Sequence, residues 1–320
     1  MMESNMGADG LFTPNAIDPE TDAFNRRLIA QEASQPHIAD VGALAVRASR
    51  YAEWVANGSP VSRLAHERTI EGSGGPIPVR ILIPDTILGV YLHFHGGGMA
   101  IGEAIYSDLA NEEIALQCHL AVVSVNYRLA PEFPYPAAPE DSEMVALWLV
   151  TNAQAEFGSD RLLIGGESAG ANLSVTTLVR LRDRHQFQPF RCANLVFGVY
   201  DWTLTPSVLL NGQTTPVLNA RRMKFFVDQY VTDHSHLRDP DISPLFADLA
   251  GLPPALFTVG TMDPLLDDSM FMHARWLAAG NSSELAIFPG GTHLFTRQPT
   301  ALGHQARDRI HQFLRSPLDG

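Results

Sequence analysis

The sequence predicts an α/β fold with a mostly parallel central sheet flanked by helices. Three observations carry that expectation. Short apolar runs recur from residue 77 onward, among them "LAVVSVNY" (120–127), "RLLIGG" (161–166) and "ALFTVG" (255–260). Several are almost continuously apolar, as strands covered on both faces must be. Between them lie stretches long enough for helices, and such alternation implies parallel neighbours joined by right-handed crossovers. Ligands of such sheets bind beyond the carboxyl ends of the strands.

Each element follows from local pattern. Residues 14–57 read as helical: Val41, Leu44, Ala48, Tyr51 and Val55 step by threes and fours as one apolar stripe, with Arg47, Arg50 and Glu53 on other faces. "NGSP" (57–60) closes this segment. Strand patterns then begin with "IPVRILIP" and "LGVYLHF" and continue through "LAVVSVNY", "RLLIGG", "CANLVFG", "ALFTVG" and "ELAIFPG". Helices are expected at Ser107–His119, Ala137–Phe157, Ala169–Asp183, Asp267–Gly280 and Leu302–Leu314. Tyr200–Pro244 is too long for an ordinary connection and carries its own helical piece, Asn219–Val231, which suggests a lid.

Composition narrows the function classes. The chain has 320 residues, a formal charge of -13 and no long Lys/Arg cluster, so neither a nucleic-acid groove nor an anionic membrane surface is expected as a partner. No apolar run approaches the ~20 residues of a membrane span, so no stable membrane insertion is expected. "MMESNMGADG" lacks the basic-then-apolar pattern of a secretory signal. Cys118 and Cys192 read as buried thiols in a reducing compartment, and the expected location is cytoplasmic.

The chemistry gathers at strand ends. Gly166-Glu167-Ser168-Ala169-Gly170 is a G-x-S-x-G directly after a strand and directly before a helix. That pattern arises by chance in roughly one such chain in ten, so its strand–turn–helix context is what gives it meaning: a sharp turn lifts the serine hydroxyl clear of the sheet. "HGGG" (95–98) is sharper, expected on the order of once in several hundred chains. Attack by a serine on an acyl carbon creates an oxyanion, which needs donors fixed in a dry site. Gly97 and Gly98 would supply two N–H groups unobstructed by side chains, and Ala169 a third at the helix start. No Lys-Ser/Thr follows the glycines, which weakens a phosphate-loop reading.

A serine needs a base, and the base an orienting acid. Asp263 is the first carboxylate beyond "ALFTVG", and His293 lies beyond "ELAIFPG", in the order Ser, acid, His. Asp267 and Asp268 read as the polar start of the next helix. His185, His273 and His304 fall within or at the ends of helices and are weaker candidates for the base. "DHSH" (233–236) matches no compact zinc spacing, and no metal site is expected. His93 reads as a buried, hydrogen-bonded ring, and Trp54, Trp202, Phe225, Phe226 and Tyr230 as packing residues.

Taken together, "HGGG", "YRLAPEFPYPAAPEDS" (127–142), "GESAGANL" (166–173), "SPL" (243–245), "DPLLD" (263–267) and His293 resemble the hormone-sensitive-lipase-like family of α/β-hydrolases across about residues 60–315. The resemblance implies the α/β-hydrolase fold with a helical cap. It divides the chain into an N-terminal cap segment (1–58) and a catalytic domain (59–320), with a cap insertion at about 200–242. It implies a carboxylesterase for short to medium acyl esters, working without a cofactor on a small-molecule ester. Ser168 would be nucleophile, Asp263 the acid and His293 the base; Gly97, Gly98 and Ala169 would form the oxyanion hole. His95, with Gly96, would brace the glycine loop. A homodimer through an edge strand and a C-terminal helix is a further expectation of the family, and some members with the glycine triplet accept tertiary-alcohol esters. Glu167, Ala171 and Leu294 depart from the usual family residues and would reshape the pocket. An amide, formamide or lactone hydrolase on the same triad stays open. So does a non-catalytic ligand-binding member, as in plant hormone receptors of this fold, although His293 argues against it.

Overall fold

The computed structural model describes residues 10–211 and 215–318; the N-terminal stretch 1–9 lies outside the described residues. In chain order the described elements begin with α1 (Pro19–Glu32), α2 (Ile38–Val41), α3 (Ala43–Ala56), β1 (Ala65–Gly72), β2 (Gly75–Leu82), β3 (Gly89–Phe94), α4 (Asp108–Cys118), β4 (Leu120–Val125) and α5 (Ala137–Phe157). They continue with β5 (Leu162–Glu167), α6 (Ala169–His185), β6 (Phe190–Val196), α7 (Pro206–Asn211), α8 (Ala220–Tyr230), β7 (Ala255–Gly260), α9 (Leu266–Ala278), β8 (Ser283–Phe288) and α10 (Ala301–Arg315).

The strands form one eight-stranded sheet in the order β1-β2-β4-β3-β5-β6-β7-β8. From β4 to β8 every neighbouring pair is parallel, while β2 runs antiparallel to both β1 and β4. β3, β4, β5 and β7 are buried or nearly so along their whole length, because helices cover both faces. Residues of α5, α6 and α9 build the core on one face, and those of α4 and α10 on the other. The chain leaves β3 toward β4 on one side and enters β5 on the other, so the direction of winding reverses between β3 and β5. A crevice at such a reversal is where open α/β sheets hold ligands.

The expected helices and strands occur within a few residues of their predicted limits. Three features differ. β1, "AHERTIEG", is an edge strand with mostly exposed positions, and its charges hid it from a search for apolar runs. The long insertion carries a second helix, α7, short enough to leave no periodic signal. And the stripe on residues 41–55 is exposed: Leu44 is 58 %, Tyr51 52 % and Val55 54 % accessible. Ala43 and half-buried Val46 pack inward instead.

Buried polar groups fix the insertion at its ends. Asn172 on α6 donates to the Val199 and Ile242 carbonyls at 2.9 and 3.0 Å. Ser243 accepts from Trp202 N at 2.8 Å and donates to Leu237 O at 2.6 Å. Asp268 is more than the polar start of a helix. It is fully buried, and its Oδ1 accepts from Tyr200 N at 2.7 Å and Asp201 N at 2.9 Å, while Thr205 donates to Oδ2 at 2.7 Å. Burial pushes its pKa up to about 7, with the three hydrogen bonds opposing.

A carboxyl whose folded-state pKa is raised binds its proton more tightly in the native state than in the unfolded chain, where it ionises near 3.8. Its contribution is greatest below that value and is lost as pH rises toward 7, a change of roughly 4 kcal/mol. Asp268→Asn is therefore expected to show a flatter dependence of unfolding free energy on pH between 4 and 7 than the wild type, measured by urea titration at several pH values. Parallel curves for the two proteins would contradict this.

Candidate active site

The turn after β5 is built around close approach. A Cβ on Gly170 would stand 1.9 Å from the Phe94 carbonyl oxygen, and one on Gly166 2.2 Å from the same atom, so only glycine lets β3, β5 and the start of α6 pass this near. Ser168 itself has φ 56° and ψ −117°, a conformation a residue with a Cβ rarely adopts. It is held there by the hydrogen bond from its N–H to Val196 O at 2.9 Å. The strained turn aims Oγ away from the sheet.

The loops after β7 and β8 bring the partners. His293 Nε2 lies 3.0 Å from Ser168 Oγ, and His293 Nδ1 lies 2.9 Å from Asp263 Oδ2. Asp263 accepts from Leu265 N through its other oxygen at 2.8 Å. This arrangement gives His293 a proton on Nδ1, donated to Asp263, and a free lone pair on Nε2 for the serine hydroxyl. All three residues are buried, Asp263 to 2 % exposure. Phe197 meets the His293 ring edge-on at 4.8 Å between centroids. The other histidines are occupied elsewhere: His185 on Glu143, His273 on Ser283 and His304 on Arg307.

The glycine loop follows β3. Gly97 has φ 132° and Gly98 φ 59°. The Gly97 carbonyl accepts from Ala100 N and Ile101 N at 3.1 and 2.9 Å, which closes the loop into a tight turn. The N–H groups of Gly97, Gly98 and Ala169 find no acceptor among the described residues. Ala169 opens α6, where the helix dipole adds to the attraction for negative charge. Beneath the loop, His95 Nδ1 donates to Gly96 O at 2.8 Å, and its ring stacks on Tyr127 at 4.3 Å. Tyr127 in turn donates to the His95 carbonyl at 2.7 Å. Burial lowers the His95 pKa to about 4, so the ring is a neutral brace.

Behind Ser168 lies a second polar network. His93 faces Glu167 through Nε2 at 3.2 Å and Ser124 through Nδ1 at 2.8 Å, and Arg297 reaches Glu167 at 3.4 Å. Burial alone would raise the Glu167 pKa; His93 and Arg297 outweigh it and hold the carboxyl down at about 2. Glu167 therefore buttresses the turn and does not line the pocket. Ala171 is buried within α6, and of the three unusual residues only Leu294 reaches the pocket wall.

That pocket is a small cavity of ≈ 120 Å³ over Ser168 and His293. Its floor is the glycine loop. Its roof comes from the insertion, through Trp202, Leu218, Met223 and Phe226. Trp202 and Phe226 thus serve as wall as well as packing, a role the sequence pattern did not reveal. Asp233 and His236 sit in an exposed turn away from this pocket, and among the described residues no cluster of three His, Cys, Asp or Glu is placed to hold a metal ion. Cys118 and Cys192 are buried free thiols, their pKa values raised to about 12 by burial.

A model of the alpha/beta hydrolase fold family matches residues 91–297. Carboxylic ester hydrolase LipN of Mycobacterium tuberculosis is 34 % identical over 243 residues, which cover 71 % of this chain and 63 % of LipN, so the chain matches under two thirds of that relative's length. Carboxylesterase NlhH of the same species is 36 % identical over 244 residues, covering 71 % of this chain and 74 % of NlhH. Among solved structures, an esterase of Pyrobaculum calidifontis superposes with a TM-score of 0.85 at 28 % identity, covering 94 % of this chain and 98 % of that one.

Proposed function

The chain belongs to the hormone-sensitive-lipase-like family of α/β-hydrolases, and from that footing we propose that it is a carboxylic ester hydrolase cleaving short to medium acyl esters through Ser168, His293 and Asp263. The observation that carries this reading is the unbroken chain from Asp263 Oδ2 through the His293 ring to Ser168 Oγ, at 2.9 and 3.0 Å, beside three unengaged backbone N–H groups.

The steps follow from the geometry. His293 Nε2 takes the hydroxyl proton as Ser168 Oγ bonds to the ester carbonyl carbon. Negative charge moves onto the carbonyl oxygen, where the N–H groups of Gly97, Gly98 and Ala169 receive it, each worth ~3 kcal/mol to the transition state. The bond to the alcohol oxygen then breaks, and His293 delivers its proton to the leaving alcohol. Water repeats the sequence on the acyl-enzyme, giving up a proton to His293 and releasing the acid and the free serine. Asp263 remains ionised throughout, orienting the ring and stabilising its cationic form. The N-terminal helices and the 200–242 insertion act as a cap. This is supported by the insertion residues over the pocket and by the packing of α2 on α8.

Turnover separates an esterase from a protein that only binds. The purified chain is expected to hydrolyse p-nitrophenyl butyrate over many cycles, with rates falling along a series of longer p-nitrophenyl esters. An organophosphate should inactivate it at one equivalent and add its mass to the peptide carrying Ser168. Modification of any other residue, or binding without turnover, would reject the proposal.

A further inference from the structure

Three arginines meet at the active-site pocket, each from a different element. Arg50 reaches it from α3, Arg222 from α8, and Arg297 from the turn just after His293. The chain carries -13 overall, so this cationic lining runs against its general charge. Among the described residues Glu103 is the one carboxylate that lines the same pocket.

The three are not equally free. Arg297 donates to Ser107 Oγ at 3.0 Å and to Glu167 at 3.4 Å. Arg222 donates to Val217 O and stands 3.5 Å from Glu32 Oε1. Arg50 makes no hydrogen bond or ion pair among the described residues. Partial desolvation at the pocket, and after it the charge of Arg222, lower the Arg50 pKa although part of the side chain reaches solvent, and a guanidinium keeps its proton throughout the working range. An unpaired cation beside a second cation is a poor arrangement until an anion joins them.

A second, independent observation points the same way. The Tyr106 hydroxyl, Nε of Arg222 and Nε1 of Trp202 all belong to residues lining this pocket, and each is buried without a hydrogen-bond partner among the described residues. Buried donors are ordinarily matched. A guest rich in acceptor oxygens would answer them, and the planar fork of an arginine fits a carboxylate in particular.

On the esterase reading above, we infer that the preferred ester carries a carboxylate, held by Arg50 and Arg222 at the roof of the pocket while its ester carbonyl lies at Ser168. The charge can sit on the acyl or the alcohol side, and two matched pairs of substrates distinguish these. For the acyl side, mono-(p-nitrophenyl) glutarate is compared with p-nitrophenyl pentanoate. For the alcohol side, p-acetoxybenzoate is compared with its methyl ester.

The quantity read is the ratio of kcat/KM, anionic over neutral, at low ionic strength. In at least one pair it is expected to exceed about tenfold, the scale of one charge-assisted contact. Arg50→Gln should collapse that ratio to near one, and Arg50→Lys should restore most of it. Arg26→Gln, at an exposed residue of α1 paired with Asp22, should leave it unchanged. Preference for the neutral ester in both pairs, or a ratio indifferent to Arg50→Gln, would overturn the inference while the esterase reading stands. Failure to hydrolyse any of the four esters would instead remove the esterase reading, and this inference with it.

Discussion

Ser168→Ala should lower kcat for p-nitrophenyl butyrate by about 10⁴-fold or more, with the folded state intact. On the proposed mechanism the loss is large because nucleophile and base act as one unit: without Oγ, His293 Nε2 would have no serine proton to take, and only the oxyanion donors and binding would remain. The fold should tolerate the change because the side chain's one hydrogen bond runs to His293. The strain at φ 56° is the same for alanine as for serine. Unfolding free energy is expected to stay within about 1 kcal/mol of the wild type. Steady-state kinetics together with urea unfolding checks both halves. An active variant would discard the nucleophile, and an unfolded one would show that the turn depends on the hydroxyl.

Gly97→Ala should be the most damaging substitution outside the triad. A Cβ at this position would lie 1.8 Å from the Ile101 carbonyl oxygen, a backbone atom that cannot swing aside, and φ 132° is closed to alanine. The loop must open, and the N–H groups of Gly97 and Gly98 move away from the carbonyl oxygen they are meant to receive. Losing one such donor costs about 10²–10³ in kcat, and displacing the loop removes two. The effect should appear in kcat far more than in KM, since the donors act on charge that develops only in the transition state. Gly58→Ala is the matched control. It also has positive φ, but nothing lies within 4 Å of its added Cβ, so it should lose some stability and keep its kcat. Equal kcat losses in the two variants would mean that the glycine loop has no special part in the chemistry.

The parts of this molecule legible in its sequence are those fixed by short-range geometry. Ser168 directly follows β5, and Asp263 and His293 lie in the short loops just beyond β7 and β8; parallel strands deliver their carboxyl ends to one edge. Naming the strand was therefore enough to place the residue. The glycine loop was legible for a related reason, since a close backbone approach leaves glycine as the only choice. What stayed hidden was assembled at long range. Asp268 looked like an ordinary first-turn acid of α9, and only the return of Tyr200 and Asp201 makes it a buried anchor.

The pocket wall was hidden in the same way. The spacing of Arg50, Arg222 and Arg297 is uninformative until α3 and α8 fold over the site. The N-terminal helix shows the limit of periodicity most plainly. Its apolar stripe marked a helix correctly, yet Leu44, Tyr51 and Val55 face outward, while Arg50, from a polar flank, lines the pocket. Periodicity reports that a helix has two faces, and which one turns inward depends on the partner it meets.

The most direct measurement of the central claim is a double-mutant cycle in kcat on Ser168→Ala and His293→Ala with p-nitrophenyl butyrate. If the hydroxyl and the imidazole at 3.0 Å form one proton-transfer unit, the double variant loses no more than the worse of the two single variants. Losses that multiply, each residue contributing separately, would contradict the mechanism.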